Sequence, residues 1–251
     1  MSGHSHWATI KRKKGAADAK KGQIFTRLAR EIVLAARVGV GVPDTYFRLH
    51  LAIDRARAQY MPKHNIELAI RRGTGEDKDS AALEEIFYEG YASHGIAMMI
   101  ECVTENRNRT VADLRHILNR YGGSLAAAGS VAWQFTRKSY FDIPTQGNDF
   151  DLIFELAVEA GADDVTMDDE TIEIIGPVEA FKEISDRLKA AGIHAEQAGL
   201  KMVPNNEVEL STEDALQVLK IVEAIEDLDD VQDVYSNLNI SDEVMAQLEA
   251  A

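Results

Sequence analysis

The chain has 251 residues, 45% of them hydrophobic and 27% charged, and its formal net charge is −15. This length and composition allow packed cores in two or three small domains. They exclude a membrane-spanning helix, because no apolar run approaches the ~20 residues that cross a bilayer. The single cysteine, Cys102, excludes an internal disulfide and suits a reducing, cytoplasmic setting.

The net charge conceals a division between the start of the chain and the rest. Residues 1–75 hold 15 Lys and Arg against 5 Asp and Glu, a charge of +10. Residues 76–251 hold the remaining 12 Lys and Arg against 37 Asp and Glu, a charge of −25. A split of this kind predicts that the first part meets a polyanion. A solvated basic face without a partner is the alternative.

Residues 1–22 are predicted to form a basic arm, because they lack a sustained apolar period. Its cations are Lys11, Arg12, Lys13, Lys14, Lys20 and Lys21. Cations at this density neutralise phosphates and release counterions, so we predict phosphate contacts here, with a solubilising tail as the alternative. His4, His6 and Trp7 could stack on nucleotides, although Trp7 could equally dock on the body of the protein.

The histidines of the arm also allow a metal interpretation. Removal of Met1 would leave a Ser-Gly-His start, whose amine, peptide nitrogens and imidazole can surround Cu(II) in a square plane. Any small-residue start with a third-position histidine has this property. We therefore predict neither a physiological metal site nor a cofactor.

Residues 23–78 are predicted to form a small basic domain of three helices. In the first helix, apolar residues between Phe25 and Ala36 share one face. We expect Asp44 to cap the start of the second helix and Gly73 to cap the end of the third. The arginines of this domain that we predict to contact phosphates are Arg27, Arg30, Arg37, Arg71 and Arg72.

Residues 79–130 and 205–251 are predicted to form one discontinuous α+β domain. Its strands are expected near residues 85–91, 95–103 and 231–235. Two helices of the domain are expected to begin at capping boxes that start with Thr110 and Ser211.

The interruption, residues 131–204, has the order β-α-β-β-α-β, which is the split-βαβ or ferredoxin-like arrangement. A whole unit within another indicates domain insertion, which loop positions tolerate. The predicted fold class is therefore α+β with three domains: a small N-terminal three-helix domain plus two ferredoxin-like α+β domains, one inserted in the other.

The motif NRNRT at 106–110 places two arginines at the turn between a strand and a helix. An anion at that helix N-terminus would find the guanidinium groups of Arg107 and Arg109 together with free backbone N–H groups. Pairing of these arginines with Glu101 and Glu105 is the alternative, and the sequence does not choose between the two.

Catalytic motifs are missing from the sequence. It contains no nucleophile elbow, no HExxH and no glycine-rich dinucleotide motif. The acid-rich segments GADDVTMDDETIE and EAIEDLDDVQD are interpreted as solvated surface rather than as metal sites. We therefore expect a protein that is not an enzyme.

Three long segments carry a resemblance to a known family: GHSHWATIKRKKGAADAKKGQIFTRLAREI, LAIDRARAQYMPKHNIELAIRRGTG and TENRNRTVADLRHILNRYGGSLAAAGSVAWQF. They resemble the YebC/PmpR family, and the resemblance continues to DVQDVYSN near the C-terminus. It implies three domains, with the third inserted in the second.

The resemblance also implies a function. The family is described as probable transcriptional regulators that bind DNA in the bacterial cytoplasm, and this is the function we expect. A mitochondrial relative is a translational activator of cytochrome oxidase, and bacterial members are tied to relief of stalled elongation. The alternative is therefore a ribosome-associated translation factor that contacts rRNA or tRNA.

Overall fold

The computed structural model describes residues 18–37, 43–76 and 83–250. These residues form two compact units, of which one is Phe135–Val203 and the other comprises the described residues before and after it. The described helices include none that is both long enough and apolar enough to cross a membrane.

Three helices at the start of the described chain form a small domain. They are α1 (Asp18–Arg37), α2 (Pro43–Ala58) and α3 (Lys63–Gly73). Their buried core consists of Ile32, Val33, Ala52, Ala56, Met61, Ile66 and Ala69. Asp44 lies inside α2 rather than at its N-cap, because the fixed φ of Pro43 already suits the first helical position.

Gly73 has a different role from the predicted C-cap. It is the last residue of α3, and the C-cap is Thr74, with φ −74°. A Cβ atom at Gly73 would lie 2.5 Å from the Cβ of Ala36 and 2.5 Å from the carbonyl oxygen of Val33. Glycine is therefore required here because α3 crosses α1 at close range, and not because the backbone turns left-handed.

We expect Gly73→Ala to lower the free energy of unfolding by about 1–3 kcal/mol, because the added methyl group overpacks the contact between α1 and α3. Urea denaturation would measure the change. Gly22→Ala is the matched control: Gly22 lies inside α1, and a Cβ atom added there would have nothing within 4 Å, so alanine should stabilise the protein by about 0.5–1 kcal/mol. Equal stability of the two variants would contradict the packing role of Gly73.

The remainder of this unit is built on a four-stranded sheet in the order β3-β1-β2-β8. Its strands are β1 (Glu84–Tyr91), β2 (Ala97–Thr104), β3 (Ser124–Leu125) and β8 (Val231–Ser236). The helices α4 (Arg107–Arg120) and α7 (Thr212–Glu226) pack with the sheet around Met98, Ile100 and Cys102, and α8 (Asp242–Ala250) ends the described chain. His94 and Gly95 form the turn between β1 and β2, both with positive φ.

One of the two predicted capping boxes is wrong and the other is confirmed. The N-cap of α4 is Asn106, whose side chain accepts a hydrogen bond from the backbone N–H of Arg109 at 3.1 Å. Thr110 lies one turn inside the helix, where it is buried and its hydroxyl makes other contacts. Ser211 does cap α7, accepting from the N–H of Asp214 at 3.2 Å.

The inserted unit has the predicted order of elements. They are β4 (Phe135–Pro144), α5 (Phe150–Glu159), β5 (Asp164–Met167), β6 (Thr171–Pro177), α6 (Phe181–Ala190) and β7 (Gln197–Pro204). The strand order β5-β6-β4-β7 places the first strand of the unit between the third and the last, as in a split-βαβ sheet. Together with the helical part and the first sheet, this confirms the predicted α+β class.

The two connections to the inserted unit meet outside it. The backbone N–H of Asn205 donates to the carbonyl oxygen of Gln134 at 2.7 Å. Asn237 supports the same point, with its Nδ2 3.4 Å from Oε1 of Gln134. The chain thus leaves this region and returns to it at one place.

Candidate nucleic-acid interface

Most of the predicted arm lies outside the described residues. This applies to His4, His6, Trp7, Lys11, Arg12, Lys13 and Lys14. Lys20 and Lys21 belong to α1, but their side chains lie outside the part of the chain that the structure describes. The roles assigned to these residues stay predictions.

The helical domain exposes cations on α2, α3 and the end of α1. The exposed ones are Arg37, Arg48, Arg57, Lys63, Arg71 and Arg72. Arg57 pairs with Asp54 at 3.2 Å and Lys63 with Glu67 at 3.7 Å. Exposed pairs of this kind contribute little energy, so phosphates can compete for these cations. Arg48 and Lys63 were not among the predicted contacts, although their exposure makes them equivalent to Arg71 and Arg72.

Three of the predicted arginines, all on α1, are hydrogen-bonded or partly buried within the protein. Arg37 donates to the backbone carbonyl of Leu83, which follows the helical domain in the chain. Arg27 is half-buried on α1, and its Nε–H has no hydrogen-bond partner within the described ranges. Arg30 is mostly buried, and its Nη2 lies 3.0 Å from Oδ1 of Asp230.

Asp230 is the centre of a buried polar network. Arg109 Nη2 donates to both of its oxygens, at 2.9 and 3.0 Å. The hydroxyls of Thr104 and Thr110 donate to Oδ2 at 3.0 and 2.8 Å. Burial alone would raise the pKa of Asp230, but these donors and the charge of Arg30 hold the pKa below its ordinary value. We call Asp230, Arg30, Arg109, Thr104 and Thr110 the Asp230 network; it ties α1 to α4 and to the start of β8.

The two arginines of NRNRT pair with carboxylates other than those expected. The Nε of Arg107 donates to Oε2 of Glu84 at 2.7 Å, whereas Arg109 binds Asp230. The expected partners Glu101 and Glu105 were wrong as hydrogen-bond partners, because the carboxylates come from β1 and from the turn before β8. An anion site at the start of α4 stays a prediction. To bind an anion there, both guanidinium groups would have to contact it while they remain paired with Glu84 and Asp230.

Sequence reasoning missed Tyr60, the most exposed large hydrophobic residue of the described domain. Its side chain is 90% exposed and its φ is +59°. The N–H of Tyr60 donates to the carbonyl of Arg57, and the N–H of Met61 to that of Ala56, both at 2.9 Å. This is the Schellman pattern, in which Gly or Asn usually takes the left-handed position. The Gln-Tyr-Met-Pro sequence carries no such signal.

We expect Tyr60→Asn to raise the free energy of unfolding by about 1 kcal/mol, because asparagine tolerates the left-handed conformation better than tyrosine. The side chain of Tyr60 is almost wholly exposed, so little packing is lost. Thermal and urea unfolding would measure the gain. Tyr60→Phe, which keeps the strain, should leave stability unchanged; a loss of stability in Tyr60→Asn would contradict this account.

A second exposed aromatic residue, Trp133, lies in the short 3₁₀ turn Ala132–Gln134, in the loop between β3 and β4. It is 70% exposed. Beneath the loop, the buried carboxylate of Glu89 accepts from the backbone N–H groups of Gly129, Val131 and Ala132, at 2.6, 2.5 and 2.9 Å. Burial alone would raise the pKa of Glu89, but these three donors lower it below its ordinary value. The loop is therefore fixed by a long-range contact that the local sequence does not reveal.

Comparisons with known proteins agree with this architecture. Residues 5–76 match the model of the TACO1/YebC protein N-terminal domain, and residues 83–238 match that of the TACO1/YebC second and third domain. The chain belongs to the TACO1/YebC family. The boundary between the two matches falls between α3 and β1, where the helical domain gives way to the first sheet.

Relatives within the TACO1/YebC family match this chain over nearly its full length. A probable transcriptional regulatory protein of Chlorobaculum tepidum is 50% identical over 99% of both chains, and one of Bifidobacterium longum is 49% identical over 99% of both. The crystal structure of a conserved hypothetical protein from Aquifex aeolicus has a TM-score of 0.84 and 40% identity, covering 93% of this chain and 96% of that one.

Proposed function

We propose that this TACO1/YebC family member is a non-enzymatic regulator of gene expression that binds nucleic acid in the cytoplasm, and that it acts on DNA as a transcriptional regulator. The observation that carries the proposal is the division of charge, +10 over residues 1–75 and −25 over residues 76–251. A basic module attached to an acidic body concentrates phosphate binding in one place and suppresses it elsewhere. The names of the relatives support a role in transcription.

The contacts themselves are proposed on the arm and on the exposed face of the helical domain. Lys11–Lys14, Lys20, Lys21, Arg71 and Arg72 would meet phosphates directly. Arg30 and Arg109 would contribute indirectly, by holding the helices in place, because the Asp230 network already engages their guanidinium groups. The network would thereby set the orientation of the basic helices against the first sheet.

One observation favours the ribosome as an alternative partner. Arg71 and Arg72 lie in the last turn of α3, a helix of 11 residues. The recognition helix of a helix-turn-helix protein contacts base edges with side chains near its N-terminus. Cations at the far end of a short helix suit phosphates held in a fixed shape, which rRNA and tRNA offer without base-by-base readout.

A comparison at matched physiological salt tests the proposal. Duplex-DNA retardation and ribosome co-sedimentation would be measured for the intact protein, for Arg71→Gln/Arg72→Gln, and for a form lacking residues 1–21. The control Lys182→Gln/Lys189→Gln removes the same charge from α6 in the acidic inserted unit. We expect the α3 variant to weaken binding and to lower the salt slope by about two, and the control to change neither.

The outcomes separate the two partners. A salt-tolerant complex with DNA supports the transcriptional role. DNA binding that disappears at modest salt, together with persistent ribosome binding, supports the translational role instead. Turnover of nucleic acid by the purified protein, or the absence of binding to either partner, would overturn the proposal.

A further inference from the structure

The loop that presents Trp133 belongs to the longest stretch of the acidic body that lacks acids. From residue 114 to residue 141 the sequence contains no Asp or Glu, although residues 76–251 as a whole carry a charge of −25. Within this stretch α4 exposes Arg115, His116 and Arg120. A stretch of chain without acids repels a phosphate-bearing ligand less than the acid-rich remainder of the body does.

The indole of Trp133 is held in place although most of it faces solvent. Its Nε1–H donates to the carbonyl of Ser130 at 3.0 Å, and Tyr91 donates its hydroxyl to the same carbonyl at 3.3 Å. The carbonyl of Trp133 accepts from Nδ2 of Asn205 at 3.0 Å. The donor of the ring is thus satisfied inside the protein, while its apolar surface stays available.

The rigidity of the loop lowers the entropic cost of using this surface. Glu89 fixes the backbone of Gly129, Val131 and Ala132 from below. A preorganised aromatic ring binds a flat partner without the entropic cost of ordering its loop. A tryptophan whose only role was structural would be expected inside the core, because exposing so much apolar surface forfeits the free energy of burial.

We propose that the Trp133 loop is a stacking site for an unpaired nucleobase. This inference rests on the proposed function and adds a second contact, on the acidic body, to the basic module. Stacking on tryptophan accepts any base, because every base has a π-face. Tyr121 offers a further exposed ring in the acid-free stretch, and the guanidinium of Arg120 lies 5.6 Å from the centre of that ring.

The charge pattern favours a nucleobase over a protein partner. Much of the remaining body carries exposed acids, which suit basic peptides. Phe154 illustrates the contrast: it is 46% exposed on α5, where Asp151 and Glu155 are exposed beside it. Trp133 has no acid within eight residues of it along the chain. The two exposed rings thus lie in segments of different charge: that of Phe154 is acidic, whereas the one carboxylate beneath the Trp133 loop, Glu89, is buried and bonded to three backbone N–H groups.

The fluorescence of Trp133 gives a direct test. The chain has two tryptophans, so Trp7→Phe leaves Trp133 as the only tryptophan in the full-length protein, and excitation beyond the absorption of tyrosine isolates its emission. Single-stranded RNA of about 12 nucleotides would be titrated at physiological salt, beside a duplex of the same sequence. We expect the single strand to quench the emission of Trp133 through stacking, and the duplex to quench it less, because its bases are already stacked.

Binding variants complete the experiment. Trp133→Ala should weaken binding of the single strand about 5- to 150-fold, and Trp133→Phe should retain most of the affinity. Phe154→Ala, the matched control, should change nothing. Circular dichroism should show the same helical signal in all three, since none of these side chains is buried.

Failure of this inference is distinguishable from failure of the proposed function. If the single strand binds, and binding depends on Arg71 and Arg72, but the emission of Trp133 is unchanged and Trp133→Ala binds normally, the stacking site is wrong, whereas nucleic-acid binding by the basic module, on which the proposed function depends, is retained. Quenching by a basic peptide but not by RNA would assign the loop to a protein partner and overturn the inference. No binding of any nucleic acid would remove both.

Discussion

Replacing Asp230 with asparagine is expected to lower the free energy of unfolding by about 3–5 kcal/mol, the cost of removing one partner from a buried ionic network. Asp230 is 5% exposed and is bound by two arginines and two threonines. Asparagine keeps the shape but leaves the mostly buried Arg30 without its countercharge, whereas Arg109 is partly exposed to solvent and loses less. Urea denaturation at pH 7 would measure the loss.

The network also predicts a dependence on pH. The pKa of Asp230 in the folded state is lower than in the unfolded chain. Its contribution to stability is therefore fully present above the unfolded value, near 3.8, and is lost as the pH falls through the folded value. In the Asp230→Asn variant, this part of the acid sensitivity should disappear.

Asp229→Asn is the matched control, because the side chain of Asp229 is exposed and Arg30 donates to its backbone carbonyl rather than to its carboxylate. We expect the control to unfold like the parent protein. Hydrogen exchange adds a local readout: α1 should lose protection in Asp230→Asn, since the network joins that helix to α4 and β8. Similar unfolding midpoints for both variants would show that the network contributes little.

Replacing Glu89 with glutamine is expected to lower the free energy of unfolding by about 2–3 kcal/mol. Three backbone N–H groups converge on the carboxylate, and hydrogen bonds to a charged acceptor are stronger than neutral ones. An amide presents one oxygen and one NH₂ group, so at least one backbone donor would face another donor. Thermal unfolding would measure the effect.

Two further readouts accompany this variant. The pKa of Glu89 is lowered by folding, so its contribution is present above the unfolded value, 4.5, and is lost as the pH falls through the folded value. The emission of Trp133 should change as the loop loosens, even without a ligand. Glu243→Gln, at an exposed position of α8, serves as the control. An unaltered Tm and spectrum in Glu89→Gln would be incompatible with the proposed support of the loop.

Local patterns predicted the elements well where the signal is contained within a few residues. The order β-α-β-β-α-β of the inserted unit follows from periodicity, and Ser211 follows from its position ahead of an apolar helical face. Thr110 shows the limit: it has the residue pattern of a cap, but Asn106 is already positioned by the end of β2, with its N–H donating to Thr104 at 2.9 Å. The helix therefore begins earlier than the box implies.

The candidate site was harder to predict because its contacts are long-range. Arg109 and Asp230 are 121 positions apart, and the inserted unit lies between them in the chain. The sequence around Arg109 gives no sign of its contact with Asp230, and the sequence around Asp230 gives no sign of the arginines. In the sequence, Arg30 and Arg109 therefore look like free surface cations. The roles of Gly73 and Trp133 are equally hard to predict. The first depends on a close helix crossing at Val33, and the second on a loop that is held by Glu89, which is distant in the chain.

The hydrogen bond between Asn205 and Gln134 has a consequence for how the chain can change length. It closes the base of the inserted unit, so the 69 residues from Phe135 to Val203 begin and end at one fixed point. A loop whose ends are already joined costs little more entropy when it grows, since the cost rises only with the logarithm of its length. An entire folded unit can therefore be inserted between β3 and β8 at an entropic cost close to that of a surface turn. The same junction is the natural place to shorten, exchange or circularly permute the protein.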